Sequence, residues 1–160
     1  MLRLSKKTDY ALIALKDLAS SPDGSSSSAR EIAARYNIPV ELMAKVLQRL
    51  ARRGLLASHH GKRGGYDLAR PAAMISVADV IQAVDGPVAV TACSDIDETC
   101  EQYSTCNVRD PLWRLKDRIV RTLAEFTIDE LAREEHEELL PVEVLRRPSA
   151  AEQMAAPSDR

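Results

Sequence analysis

The sequence predicts a mainly α-helical protein with one small β-hairpin, and three observations carry that expectation. Helical apolar spacing marks the segments 4–19, 29–36 and 40–53. A short turn, Ile38-Pro39, separates the second and third of them. A glycine-rich basic stretch, Gly61-Lys62-Arg63-Gly64-Gly65, lies between two strand-like pieces. Helix, turn, helix and hairpin in that order form a winged helix-turn-helix. A longer helix with a coiled-coil-like seam follows, suited to dimerisation. The organisation we expect is a winged unit over 1–73, then a linker helix, cysteine loop and dimerisation helix over 74–133. An acidic and then Pro-, Ala- and Ser-rich tail over 134–160 closes the chain, its end expected to be disordered.

In the first helix, Leu4–Ala19, Ser5 is positioned to N-cap, and Leu12, Ile13, Leu15 and Leu18 form an apolar face. Lys6 and Lys7 occupy its opening turn, where the helix dipole disfavours cations and a nearby phosphate would relieve them. Ser20–Ser28 reads as a loop. Ala29–Tyr36 stops at Asn37, and Val40–Arg53 stops at Gly54. In that third helix Leu42, Met43, Val46, Leu47 and Leu50 are expected in the core. Glu41, Ala44, Lys45, Gln48 and Arg52 form the outward face of a recognition helix. Glu41 and Lys45, near its start, suit base edges. Gln48, Arg49, Arg52 and the wing-tip residues Lys62 and Arg63 suit phosphates. His59 and His60 alternate on a strand and so do not converge on one ion, and His60 is expected to touch DNA.

Ile75–Asp85 follows as an amphipathic helix capped by Ser76 and stopped at Gly86-Pro87. Pro111–Phe126, with Asp110 as its cap, carries Leu112, Leu115, Ile119, Leu123 and Phe126 along one seam. That seam is expected to pair two copies, giving the two recognition helices a palindromic site needs. Ile128–Ala132 is a last short helix.

Charge divides the chain in the same way. Residues 1–73 hold 13 Lys/Arg against 6 Asp/Glu, whereas residues 74–160 hold 9 against 18. A basic module joined to an acidic one suits a polyanion binder with a regulatory part. No apolar run is long enough to span a membrane, and no secretory signal is read, so a cytoplasmic location is expected. Neither a membrane nor a small-molecule substrate is expected among the partners.

All three cysteines fall in one polar, acidic stretch, Cys93, Cys100 and Cys106 in CSDIDETCEQYSTC. Three thiols leave one over from any disulfide. Structural zinc favours four ligands and a tight C-x2-4-C knuckle, but the spacings here are six and five residues. An iron–sulfur cluster accepts open spacings and an occasional non-cysteine ligand. Cluster, zinc and redox-active thiols all stay open on spacing alone.

The opening LRLSKKTDYAL, the wing HHGKRGGYDLARP, the run ISVADVIQAVDGP and the triple-cysteine loop before a Trp-containing helix together resemble one family. It is the winged-helix iron–sulfur transcription regulators, which include IscR, NsrR and RirA. The resemblance covers residues 1–133, and MLRLSKKTDYAL and CNVR look closest to regulators of the SUF cluster-assembly system. It implies a homodimer that binds double-stranded operator DNA and gates transcription, as a repressor, through a 4Fe–4S or 2Fe–2S cluster sensing iron, redox state or nitric oxide. Cys93, Cys100 and Cys106 match the family's ligand positions. The histidine that IscR-like members place after the third cysteine is replaced here by Asn107-Val108-Arg109-Asp110. The nitric-oxide sensor's helix-1 aspartate aligns with Asp9, which makes Asp9 the implied fourth ligand, offered across the dimer. Positions matching Glu41, Ala44 and Lys45 contact bases in the family, and the one matching His60 enters the minor groove. A cluster-free thiol-redox regulator and a small electron carrier or redox enzyme are the alternatives.

Overall fold

The computed structural model describes residues 4–21, 25–61, 64–90 and 101–133. Helix α1 (Lys6–Ala19) begins where Ser5 accepts a hydrogen bond from the Thr8 amide. Helix α2 (Ala29–Arg35) opens on a capping box in which the Ser28 hydroxyl and the Glu31 carboxylate satisfy each other's backbone amides. Those bonds hold the Glu31 carboxyl below the usual carboxylate range. Asn37 adopts a positive φ of 51° and turns the chain into α3 (Val40–Arg52). Gly54, at φ 72°, ends α3.

Strands β1 (Leu56–His59) and β2 (Gly65–Leu68) pair antiparallel, Leu56 opposite Leu68 and His59 opposite Gly65. Ser27 and Tyr66 exchange backbone hydrogen bonds of 3.0 and 2.9 Å, which adds a third short segment to the hairpin. This explains Gly65: a Cβ there would lie 2.7 Å from the Ser27 carbonyl carbon and oxygen. The expected positive φ of the hairpin glycines holds at Gly61, whereas Gly65 is required by close backbone approach.

A 3₁₀ turn (Ala72–Met74) leads to α4 (Val77–Val84), capped by Ser76 as expected. Helix α5 (Arg109–Glu125) starts one residue before the expected Asp110 cap, with Val108 at the cap position and no side-chain cap bond. Helix α6 (Ile128–Arg133) returns to α1. Leu15, Ile32, Met43, Leu47, Leu50, Ile75, Val80, Val84 and Ile128 are fully buried in a single cluster. Residues after the wing therefore complete the core of the helix-turn-helix, and the driving force is the apolar area they remove from water. Leu42 departs from the expected core: it is 41% exposed. Among the described residues no helix is long and apolar enough to cross a membrane.

Candidate nucleic-acid interface and cysteine segment

Recognition helix α3 buries Met43, Val46, Leu47 and Leu50 and turns Glu41, Lys45, Gln48 and Arg52 to solvent, with Ala44 half-buried. The four exposed side chains lie on the outward stripe expected of a groove-reading helix. Leu42 and Arg49 fall on one flank of that stripe, towards α1 and α4. Arg49, expected on phosphates, donates from Nε to the Ala83 carbonyl at 3.2 Å. That bond ties the recognition helix to the C-terminal turn of α4.

The same turn grips α1. Asp85 accepts hydrogen bonds of 2.7 Å from the Ser5 hydroxyl and 2.7 Å from the Thr8 hydroxyl. Burial opposes the Asp85 charge, but these bonds outweigh it and hold the carboxyl below its usual range. Lys6, Lys7 and Asp9 remain exposed around the anchored Thr8. A second clamp fixes α2 on α1: the buried Asp17 carboxylate accepts from the Arg35 guanidinium and, at 2.8 Å, from the Tyr36 hydroxyl. Neither clamp was foreseen. A carboxylate in the last turn of a helix contradicts the macrodipole preference, and Asp17 carries that one local signal of a fixed partner.

At the wing, His60 is exposed, and Lys62 and Arg63 lie outside the described residues. His59 is also exposed, its Nε2 3.1 Å from Asp67 Oδ1 but out of line for a hydrogen bond.

Cys93 and Cys100 lie outside the described residues, and Cys106 is half-buried with a free thiol. Arg109 clamps the turn before Cys106 by donating to the Tyr103 carbonyl at 3.0 Å and stacking over the Tyr103 ring at 4.5 Å. The Asp110 carboxylate beside it raises the guanidinium's pKa further. A cation held beside a thiol favours the thiolate, the form that binds metals. A soft thiolate next to a fixed guanidinium fits the donor set of an anionic iron–sulfur centre. No three His, Cys, Asp or Glu among the described residues form a metal-binding group.

Helix α5 packs on α4 and buries none of its residues fully. Leu112, Ile119, Leu123 and Phe126 are half-buried, and Leu115 and Trp113 are 46% and 40% exposed. An apolar stripe of this kind lacks a covering surface within the described part of one copy.

Residues 4–134 match the Rrf2 family, described as iron-dependent transcriptional regulators. The chain belongs to the Rrf2 family. It is 33% identical over 126 residues to Rv1287 of Mycobacterium tuberculosis, a candidate HTH-type transcriptional regulator, covering 79% of this chain and 78% of that one. Among solved structures it is similar to CymR, the global cysteine regulator of B. subtilis, at TM-score 0.70 and 26% identity, covering 85% and 100% of the two chains. It is also similar to T. potens IscR, at TM-score 0.63 and 25% identity, covering 87% and 92%. As an Rrf2 protein it is a DNA-binding winged-helix transcriptional regulator and not an enzyme. The electron-carrier and redox-enzyme alternative is thereby set aside.

Proposed function

We propose that this Rrf2 regulator is a homodimeric, cluster-dependent repressor of iron–sulfur assembly or related genes, responding to iron, redox state or nitric oxide. The observation that carries this reading is where the cysteines sit. Cys93, Cys100 and Cys106 occupy the link between α4 and α5, and the α4 turn leading into it is hydrogen-bonded to recognition helix α3 and to α1. In this reading the three thiolates, with Asp9 of a second copy, hold a 4Fe–4S or 2Fe–2S cluster. The cluster supplies a ligation state that changes with iron, oxidants or nitric oxide. Arg109 orients the turn carrying Cys106, and the Ala83–Asp85 turn relays strain on the link to Arg49 and Thr8. Only a difference in DNA affinity between the two states produces a switch.

Glu41, Ala44 and Lys45 read bases, while His60, Lys62, Arg63, Gln48, Arg52 and the α1 lysines Lys6 and Lys7 set the protein on the DNA backbone and minor groove. Leu112, Leu115, Ile119, Leu123 and Phe126 join two copies along α5. Anaerobic purification followed by iron and sulfide counting tests the reading. The expected protein is brown, with iron and acid-labile sulfide in near-equal amounts, and each single Cys→Ala variant loses its visible absorbance.

A second reading is favoured by the similarity to CymR, reported as a cysteine regulator. Here the thiols themselves are oxidised and no cluster forms. Colourless anaerobic protein whose DNA affinity changes with peroxide would select it.

A further inference from the structure

Beside the recognition helix lies a cavity of about 450 Å³, open to solvent. Its size falls within the roughly 300–1,000 Å³ of small-molecule sites. Tyr10, Leu42, Val46 and Val84 supply an apolar floor drawn from α1, α3 and α4. Around them stand five cations: Lys6, Lys7, Lys45, Arg49 and Arg52. Among the described residues none of the five forms an ion pair, and no acidic side chain lines the cavity. The nearby Asp85 carboxylate is already engaged by Ser5 and Thr8.

Phosphate contacts account for a cationic rim but not for an apolar floor, because a phosphate gains nothing from burying against Val46 and Val84. The exposed Leu42 side chain makes the same point: an apolar group left open on an otherwise charged helix face has a partner to gain. We propose that the cavity binds an organic anion with an apolar body, of the medium-chain carboxylate type. Its tail covers Leu42, Val46 and Tyr10, and its head group meets the lysines of the α1 opening turn, where amide groups and dipole also favour negative charge. Because Lys45 and Arg52 belong both to this rim and to the DNA-facing stripe, an occupied cavity and bound DNA exclude each other. The site is thus a second input to the regulator, independent of the cysteines.

The test uses the full-length protein with 8-anilinonaphthalene-1-sulfonate as a fluorescent anionic probe, decanoate as competitor and decanol as its neutral counterpart. The expected result is saturable binding of one probe per chain, displaced by decanoate and not by decanol. Lys7→Glu reverses one rim charge at an exposed first-turn position where an acid favours the helix, so the fold is retained. Leu42→Glu places a carboxylate on the floor at an exposed site. Each is expected to weaken the probe at least tenfold with an unchanged circular dichroism spectrum. If either variant titrates like the parent, or decanol displaces as well as decanoate, the probe sits elsewhere and the proposal fails. Iron and operator DNA play no part in these titrations, so their failure would leave the proposed regulator reading untouched.

Discussion

Removing Arg35 should destabilise this protein more than removing the carboxylate that Arg35 binds. Asp17 is buried, its side chain 6% exposed, whereas the Arg35 side chain is 49% exposed. In Arg35→Ala the carboxylate stays where it is, out of water, with only the Tyr36 hydroxyl at 2.8 Å to satisfy it. Stranding a buried charge costs about 3–5 kcal/mol, and the open side of this pair places the expected loss near the low end, about 3 kcal/mol. Asp17→Ala removes the buried charge itself. Arg35 and Tyr36, both substantially exposed, recover hydrogen bonds from water, and the expected loss is about 1–2 kcal/mol. The double variant should resemble Asp17→Ala and be more stable than Arg35→Ala alone. At roughly 2–4 °C per kcal/mol for a chain of this size, Arg35→Ala melts about 6–12 °C below the parent. Alanine suits both helical positions, so propensity does not confuse the comparison. Thermal melts at pH 7, followed by circular dichroism, give all four values. If Asp17→Ala melts lower than Arg35→Ala, desolvation of the carboxylate is not the controlling term.

Asp85 gives a pH signature. Its folded-state pKa lies below the unfolded one, so its contribution is complete above the ordinary carboxylate pKa of about 4 and fades as pH falls through the folded value. The stability gap between parent and Asp85→Asn should therefore narrow on acidification from pH 7 to pH 3, and a constant gap counts against the latch. Ile119→Glu puts a carboxylate in the centre of the α5 stripe, and sedimentation should then show monomer; unchanged dimer mass means that this face pairs with nothing. Asp9→Ala should leave fold and dimer intact while making the visible chromophore labile to oxygen, and an equally stable chromophore removes Asp9 from the ligand set. Lys45→Ala is expected to cost about 1–3 kcal/mol on operator duplex and to relax preference at one base pair, measured against scrambled duplex across a salt series. Equal weakening on both duplexes excludes base reading by Lys45.

The helices were legible in the sequence wherever a local signal set them. Ser5, Ser76, Asn37 and Gly54 each act within a few residues of their own position, and each sits where its chemistry predicts. The outward stripe of α3 was legible for the same reason, since 3.6-residue periodicity separates two faces well. It separates flanks poorly, and both departures on α3 lie there. Leu42 and Arg49 stand between the buried and exposed arcs, and which way they turn depends on α4, more than thirty residues later in the chain. The Asp85–Thr8 and Asp17–Tyr36 bonds were hidden for a related reason. Hydrogen bonds between distant segments leave no periodic trace.

The two backbone bonds that close the excursion from α4 to α6 have a consequence for how the regulator can be dissected. Val77 donates to the Phe126 carbonyl at 2.9 Å and Ile128 to the Ile75 carbonyl at 2.8 Å, so the segment between them leaves and rejoins the core at one point. Everything in between, α5 and the cysteines included, is a cassette spliced into the DNA-binding body rather than a domain appended to it. Its contents could be exchanged with the seam intact, as when a sensor is grafted at a permissive insertion point. The converse operation fails, because a chain cut after the wing loses Ile75, Val80, Val84 and Ile128 and leaves α1 uncovered. Reader and sensor are interlocked in the topology and cannot be separated by proteolysis or truncation without unfolding the reader.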